Sequence, residues 1–307
     1  MSPLRITVPA SSANIGPGFD SVGVAVSCFL ILDVSEQDRW EIRHKSSHLP
    51  TFAEYTDHFI YQIARRTAEY HNKELPACKV LVTSEIPLAR GFGSSASAAL
   101  AGIELANQLC DLNLSDSQKL KYGTEIEGHP DNIAPALFGG LMVTAVSHDD
   151  QVEYISVPGP ELDLIAYIPE TELKTEEARR ILPENYSRGQ AARASSVGNL
   201  MIASLLQGDY QLAGRMIELD SFHEPYRAPY IPNYQIIRRE ASQLGAYGSA
   251  ISGAGPTMVS FAPKGYGPRI AKHMTTLLPE YKVMPIKIDS KGLQVERVNL
   301  QNTIVAE

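Results

Sequence analysis

The chain has 307 residues, a 44% hydrophobic fraction and a formal net charge of −8. That length accommodates one large or two medium domains with sizeable cores, and the acidic balance argues against nonspecific binding to nucleic acid or anionic membranes. Cys28, Cys78 and Cys110 form no C-x-x-C pair and lie in apolar contexts, so they read as reduced core residues, not a disulfide frame or a zinc site. With no basic-then-apolar leader and no apolar run of about 18 residues, the expected location is cytoplasmic.

Residues 5–8 alternate and predict a strand. The next stretch, Pro9-Ala10-Ser11-Ser12-Ala13-Asn14-Ile15-Gly16-Pro17-Gly18-Phe19-Asp20, is too rich in Gly and Pro to continue it. Asn14 and Asp20 could simply be turn residues bonding their own backbone. Residues 29–34 and 40–44 predict strands joined by a polar turn at 35–38. Residues 57–70 predict an amphipathic helix, with Phe59, Ile60, Ile63 and Ala64 on one face.

A strand at 80–82 feeds Pro87-Leu88-Ala89-Arg90-Gly91-Phe92-Gly93-Ser94-Ser95-Ala96-Ser97, and an Ala-rich helix follows at 98–109. A glycine and serine loop entering a helix N-terminus is a ready anion site, because backbone N–H groups and the helix dipole both favour negative charge. Gly91 and Gly93 let the backbone approach a ligand, while Ser94, Ser95 and Ser97 offer hydroxyls. No Lys follows the serines as in a Walker A loop, and the spacing is not that of a dinucleotide fingerprint. An ordinary serine-capped helix is the plain alternative.

Ser115 with Gln118 is a capping-box signal for a helix running to about Glu127. In Glu127-Gly128-His129-Pro130-Asp131-Asn132 the acids and the histidine could ligate a metal, but Pro130 breaks the helical spacing a zinc site would use. Strands are expected at 139–146 and 162–168. Thr175 and Arg179, four apart, share a helix face that could be merely solvated. Helices at 187–207, 210–220 and 234–244 follow, interrupted by His223-Glu224-Pro225-Tyr226-Arg227. Two glycines at 253 and 255 sit between short apolar strands, and a helix at 268–278 precedes strands at 283–288 and 293–298. Strands interleaved with helices in both halves give an α+β class with two domains, residues 1–155 and 156–307.

Three stretches, in order, resemble the motifs of the GHMP small-molecule kinases: Pro9 to Asp20, Pro87 to Ser97, and residues 247–261. The first of these, together with His129-Pro130-Asp131-Asn132, Thr175 with Arg179, and Arg227, takes the form carried by the homoserine kinases. The resemblance covers nearly the whole chain. It implies a ribosomal-protein-S5-like N-terminal domain and a ferredoxin-like C-terminal domain with the site between them. It further implies ATP and Mg2+ as cofactors, the L-homoserine side-chain hydroxyl as acceptor in a step toward threonine, and, by family habit, a homodimer. On the same basis the loop Pro87, Leu88, Ala89, Arg90, Gly91, Phe92, Gly93, Ser94, Ser95, Ala96 and Ser97 binds ATP, with Ser95 and Glu127 holding magnesium. Asp20 takes the substrate ammonium, Arg179 and Arg227 with Thr175 take its carboxylate, and Asn14 and Asn132 orient the hydroxyl. Asn132 stands where other members place a catalytic Asp and cannot itself act as a base. A GHMP kinase for another alcohol, or a nucleotide-binding regulator without turnover, are the alternatives.

Overall fold

The computed structural model describes residues 3–157 and 159–298. Strand β1 (Leu4–Ala13) alternates at first, burying Leu4, Ile6 and Val8. It then runs on through Pro9, where the sequence predicted a loop. A register shift between Pro9 and Ala10 explains this: the irregularity absorbs a residue with no N–H, and pairing with β2 (Val22–Glu36) resumes at Ala10. Strands β3 (Glu41–His44) and β4 (Cys78–Ser84) extend the sheet beyond the C-terminal half of β2. The N-terminal end of β2 pairs β5 (Leu141–Val146), which in turn pairs β6 (Val152–Val157).

Helices cover this sheet. Helix α1 (Phe59–Tyr70) buries Ile60, Ile63 and Ala64 as expected, adds Tyr61, Thr67 and Ala68, and leaves Phe59 exposed. Helix α2 (Ser94–Leu109) starts at the phosphate-type loop and is almost wholly buried between β1 and α1. Its small residues make that possible: a side chain at Gly102 would lie 2.8 Å from the Ile60 carbonyl. Helix α3 (Asp116–Glu127) opens with the reciprocal Ser115/Gln118 capping box, and a short α4 (Ile133–Phe138) follows directly after Asn132.

Strand β7 (Leu162–Pro169) opens a second, four-stranded antiparallel sheet. Between it and β8 (Gly248–Ile251) lie α5 (Thr175–Arg180), α6 (Arg188–Gln207), α7 (Tyr210–Ile217), α8 (Glu224–Arg227) and α9 (Tyr234–Gln243). Strand β9 (Met258–Pro263), helix α10 (Gly267–Leu277) and strand β10 (Tyr281–Ile286) complete the order β10-β7-β9-β8, a ferredoxin-like split βαβ arrangement. Both faces of this sheet are covered, so period-2 alternation sends side chains to two cores. Leu164, Ala166 and Phe261 join the core shared with the first sheet, whereas Ile165, Tyr167 and Met258 pack with Ile237 of α9 and Ile270 of α10. The last strand, β11 (Gln294–Arg297), returns to pair β1, so residues 294–297, assigned to the second half by sequence, close the first sheet. Among the described residues no helix is long and apolar enough to cross a membrane.

The loop between β8 and β9 joins the two sheets. Gly253 N–H donates to the Ala13 carbonyl (3.0 Å), the Asn14 amide donates to the Gly253 carbonyl (2.9 Å), and Ser252 Oγ donates to the Gly91 carbonyl (2.6 Å). Gly91 has φ +79°, and a Cβ there would lie 2.2 Å from the Ser252 carbonyl oxygen. Gly91→Ala is therefore expected to lose about 2–4 kcal/mol of stability, combining backbone strain with overpacking. Denaturant unfolding measures this, and a variant as stable as the parent would mean the loops are not tightly seated.

Candidate active site

The N-terminus of α2 is the positive pole of the cleft. Its N-cap, Gly93, has φ +61° and offers no side chain to cap the helix, so the first-turn N–H groups remain available to an anion. A Cβ at Gly93 would lie 2.3 Å from Ser11 Oγ and 2.8 Å from Asn132 Oδ1, so the close approach requires glycine. Ala89, Gly91, Gly93, Ser94 and Ser95 line the cleft. Other residues of the loop face elsewhere. Phe92 and Ala96 are core residues, Ser97 Oγ bonds the Pro9 carbonyl at 2.8 Å, and Arg90 is tied to the Pro169 and Glu170 carbonyls at the end of β7. Pro87 borders an outer groove with Arg90.

Glu127, in the last turn of α3, comes to the same place: Ser95 Oγ donates to its Oε1 at 2.5 Å. Burial raises its carboxyl above the ordinary value, and the bond from Ser95 opposes this. A carboxylate at a helix C-terminus is also unfavourably placed with respect to that helix's dipole. A half-buried carboxylate beside a hydroxyl, next to a phosphate-type loop, is a donor set suited to a hard divalent cation.

Asn132 accepts from Ser11 Oγ at 2.8 Å through its Oδ1, which leaves its NH2 as the group directed toward the cleft. His129 bonds buried Asp131 through Nδ1. Burial alone would lower the His129 pKa, but Asp131 and then Asp20 outweigh it and the net direction is upward. Ligand atoms of Asp20, His129 and Asp131 lie within 4.8 Å of one another.

Asp20 is held in the left-handed region (φ +53°), its N–H donating to Asn14 Oδ1 at 3.0 Å. With Nδ2 donating to the Gly253 carbonyl and Oδ1 accepting from Asp20 N–H, Asn14 fastens the turn while also lining the cleft. Asp20 and Arg179 form a bidentate pair at 2.7 and 3.1 Å, and Thr175 at the start of α5 lines the same cleft. Arg227 is buried and bonds three neutral acceptors: the Ala178 carbonyl (3.2 Å), the Gly253 carbonyl (3.0 Å) and His223 Nδ1 (3.1 Å). Burial pulls Arg227 down to about 10. Both guanidiniums sit over the ring of Phe19, at 5.7 Å (Arg179) and 5.5 Å (Arg227) from its centroid.

His223 lies behind this clamp. It is fully buried, donates from Nε2 to the Gly16 carbonyl at 2.9 Å and stacks on Phe19. Burial lowers it to about 4, so it is the neutral form that accepts from Arg227. Sequence reasoning assigned no role to Ser11 or Phe19, whose significance depends on partners over 100 residues away in the chain.

An apolar pocket adjoins the cleft and shares Ser94 and Ser95 with it. Leu49, Phe52, Val82 and Leu88 line it, and His44 and His58 stand at its wall. His58 Nδ1 accepts from Ile60 N–H, so its Nε2 carries the proton donated to His44 Nε2 at 2.9 Å. Burial pushes His58 down to about 4, which keeps the pair neutral.

Family models match both halves of this architecture: the GHMP kinase N-terminal domain over residues 58–140 and the GHMP kinase C-terminal domain over residues 201–279. The chain belongs to the GHMP kinases. A homoserine kinase of Oceanobacillus iheyensis is 50% identical, the match covering 96% of this chain and 100% of that protein. A solved structure from Listeria monocytogenes superposes with a TM-score of 0.82 at 39% identity, covering 96% of this chain and 100% of its own. The crystal structure of homoserine kinase from Cytophaga hutchinsonii also gives 0.82, at 27% identity, covering 96% and 98%.

The raised carboxyl of Glu127 predicts a stability effect. A group whose pKa rises on folding stabilises the fold while protonated and loses that contribution as pH climbs through the raised value. Near neutrality the ionised Glu127 therefore costs stability, and Glu127→Gln, which can still accept from Ser95, should raise the Tm of the metal-free protein. The gain should shrink on acidification. Thermal melts at several pH values read this, and a lower Tm for the variant at pH 7 would contradict the assigned burial cost.

Proposed function

We propose that this chain transfers the γ-phosphoryl group of ATP to the side-chain hydroxyl of L-homoserine, releasing ADP and O-phospho-L-homoserine. One observation carries the reading: an acid, Asp20, and two guanidiniums, Arg179 and Arg227, converge around Phe19 beside the N-terminus of α2. Those charges match the ammonium and carboxylate of an amino acid whose hydroxyl would lie next to a bound phosphate. The near-full-length similarity to homoserine kinases supports the same substrate.

In this reading the first-turn N–H groups of α2 and the Gly91–Gly93 backbone hold the phosphates, and the adjoining apolar pocket receives the base. Ser95 and Glu127 would hold Mg2+, which when bound neutralises charge on the transferred group. The Asn132 NH2 donates toward the acceptor hydroxyl or the phosphate and so fixes their mutual geometry. Phosphoryl transfer depends mostly on positioning and electrostatics, so a site that orients the hydroxyl without a strong base is chemically sufficient. A cytoplasmic setting and a two-copy assembly belong to the same proposal and rest on the family resemblance.

Substrate-dependent ADP release over a panel of small alcohols tests the proposal. Homoserine should give the highest kcat/KM, and Arg227→Ala should raise its KM roughly tenfold or more through loss of a charge-assisted contact. Arg227→Lys should not restore it, since lysine lacks the planar fork. Faster turnover of another alcohol, or none with any, would reject the reading.

A further inference from the structure

The two charges assigned to opposite ends of the substrate are bonded to each other in this structure. Arg179 grips Asp20 with both terminal nitrogens, and each side chain is more than one-third exposed or close to it, at 39% and 34%. The neighbouring Arg227 differs sharply: it is buried and its hydrogen bonds all go to neutral acceptors. The cleft thus holds one closed ion pair beside one cation bonded to no carboxylate.

We infer that the Asp20–Arg179 pair sets specificity for zwitterions: the amino-acid site admits its ligand by exchanging this internal pair for two new ones. The inference rests on the homoserine reading above. A carboxylate entering near Arg227 supplies the anion that cation lacks and draws Arg179 off Asp20, while the ligand's ammonium takes the vacated place on Asp20. Charge balance is kept throughout only if the ligand brings both signs. A ligand with a carboxylate alone leaves Asp20 beside Asp131 with His129, already bonded to Asp131, in place of its guanidinium, and one with an ammonium alone leaves Arg179 unpaired next to Arg227. Each stranded charge disfavours the singly charged ligand, which is discrimination by repulsion added to the attraction of the clamp.

The local anchoring makes Arg179 the mobile partner. Asp20 is fixed through its N–H to Asn14, and Arg227 is fixed by three bonds, including one to the Ala178 carbonyl in α5 itself. Arg179 projects from the six-residue α5 and is held at its tip by Asp20 and by the face of Phe19. Four rotatable side-chain bonds suffice to carry its guanidinium from one partner to the other without moving the helix.

The experiment compares L-homoserine, 4-hydroxybutyrate (carboxylate only) and 3-aminopropan-1-ol (ammonium only) in the parent protein, Arg179→Ala and Asp20→Asn. KM is read, or the competitive inhibition constant against homoserine where an analogue is not turned over. Homoserine should weaken roughly tenfold or more in both variants. Each variant should also bind one analogue better than the parent does: 3-aminopropan-1-ol about two- to fivefold tighter in Arg179→Ala, and 4-hydroxybutyrate by a similar factor in Asp20→Asn, because a half-exposed pair no longer has to open. If homoserine weakens but neither analogue gains, the two residues are simple ligands and the exchange is overturned, with the homoserine reading intact. If homoserine binding is unchanged in both variants, the homoserine assignment of this pocket fails as well.

Discussion

The backbone of Gly253 is the joint on which the site depends. Its N–H bonds Ala13 at the end of β1, and its carbonyl accepts both the Asn14 amide and the Arg227 guanidinium. The backbone of one residue thereby sets the distance between the turn that carries Asp20, the clamp in the second sheet and, through Ser252, the phosphate-type loop at Gly91. These groups are buried, so each unmade bond would cost about 1–3 kcal/mol, and the three segments have little freedom to separate. A site formed between two sheets is here held by hydrogen bonds as well as by apolar packing.

Behind Arg227 a second polar layer holds a helix too short to be stable alone. The Asp220 carboxylate accepts the N–H groups of Phe222, His223 and Glu224, which starts the four-residue α8. Glu224, pushed up to about 7 by burial, accepts the Ile251 N–H and the Tyr234 hydroxyl and so docks α8 against β8 and α9. Arg227 therefore occupies a fixed position, in contrast to Arg179. Half-buried Glu127 and buried Glu224 and Arg227 all have pKa values displaced against their charged forms, a pattern concentrated where function outweighs stability.

Much of this was legible in the chain. The capping box at Ser115 and the Ala-rich α2 are local signals, and each produced its element. Strand β1 beyond Pro9 was not legible, because what tolerates the proline is a register shift against β2, a relation between two segments. Strand β11 was expected at 293–298, but its pairing with a strand nearly 300 residues earlier was not encoded locally. At the site, residue types and spacing brought Ser95, Glu127, Asp20, Arg179 and Arg227 into consideration, and all five line one cleft. That Asn14 also ties the turn to the second sheet depends on Gly253, 239 positions away, and no local pattern encodes that. His44 and His58 become a pair only when β3 and the start of α1 meet.

A crystal structure with L-homoserine and a non-hydrolysable ATP analogue tests the account most directly. The account predicts the substrate carboxylate between Arg179 and Arg227, its ammonium on Asp20, the γ-phosphate at the first turn of α2, and the acceptor hydroxyl within reach of the Asn132 amide. A bound amino acid lying elsewhere, with the Asp20–Arg179 pair still closed, would contradict it.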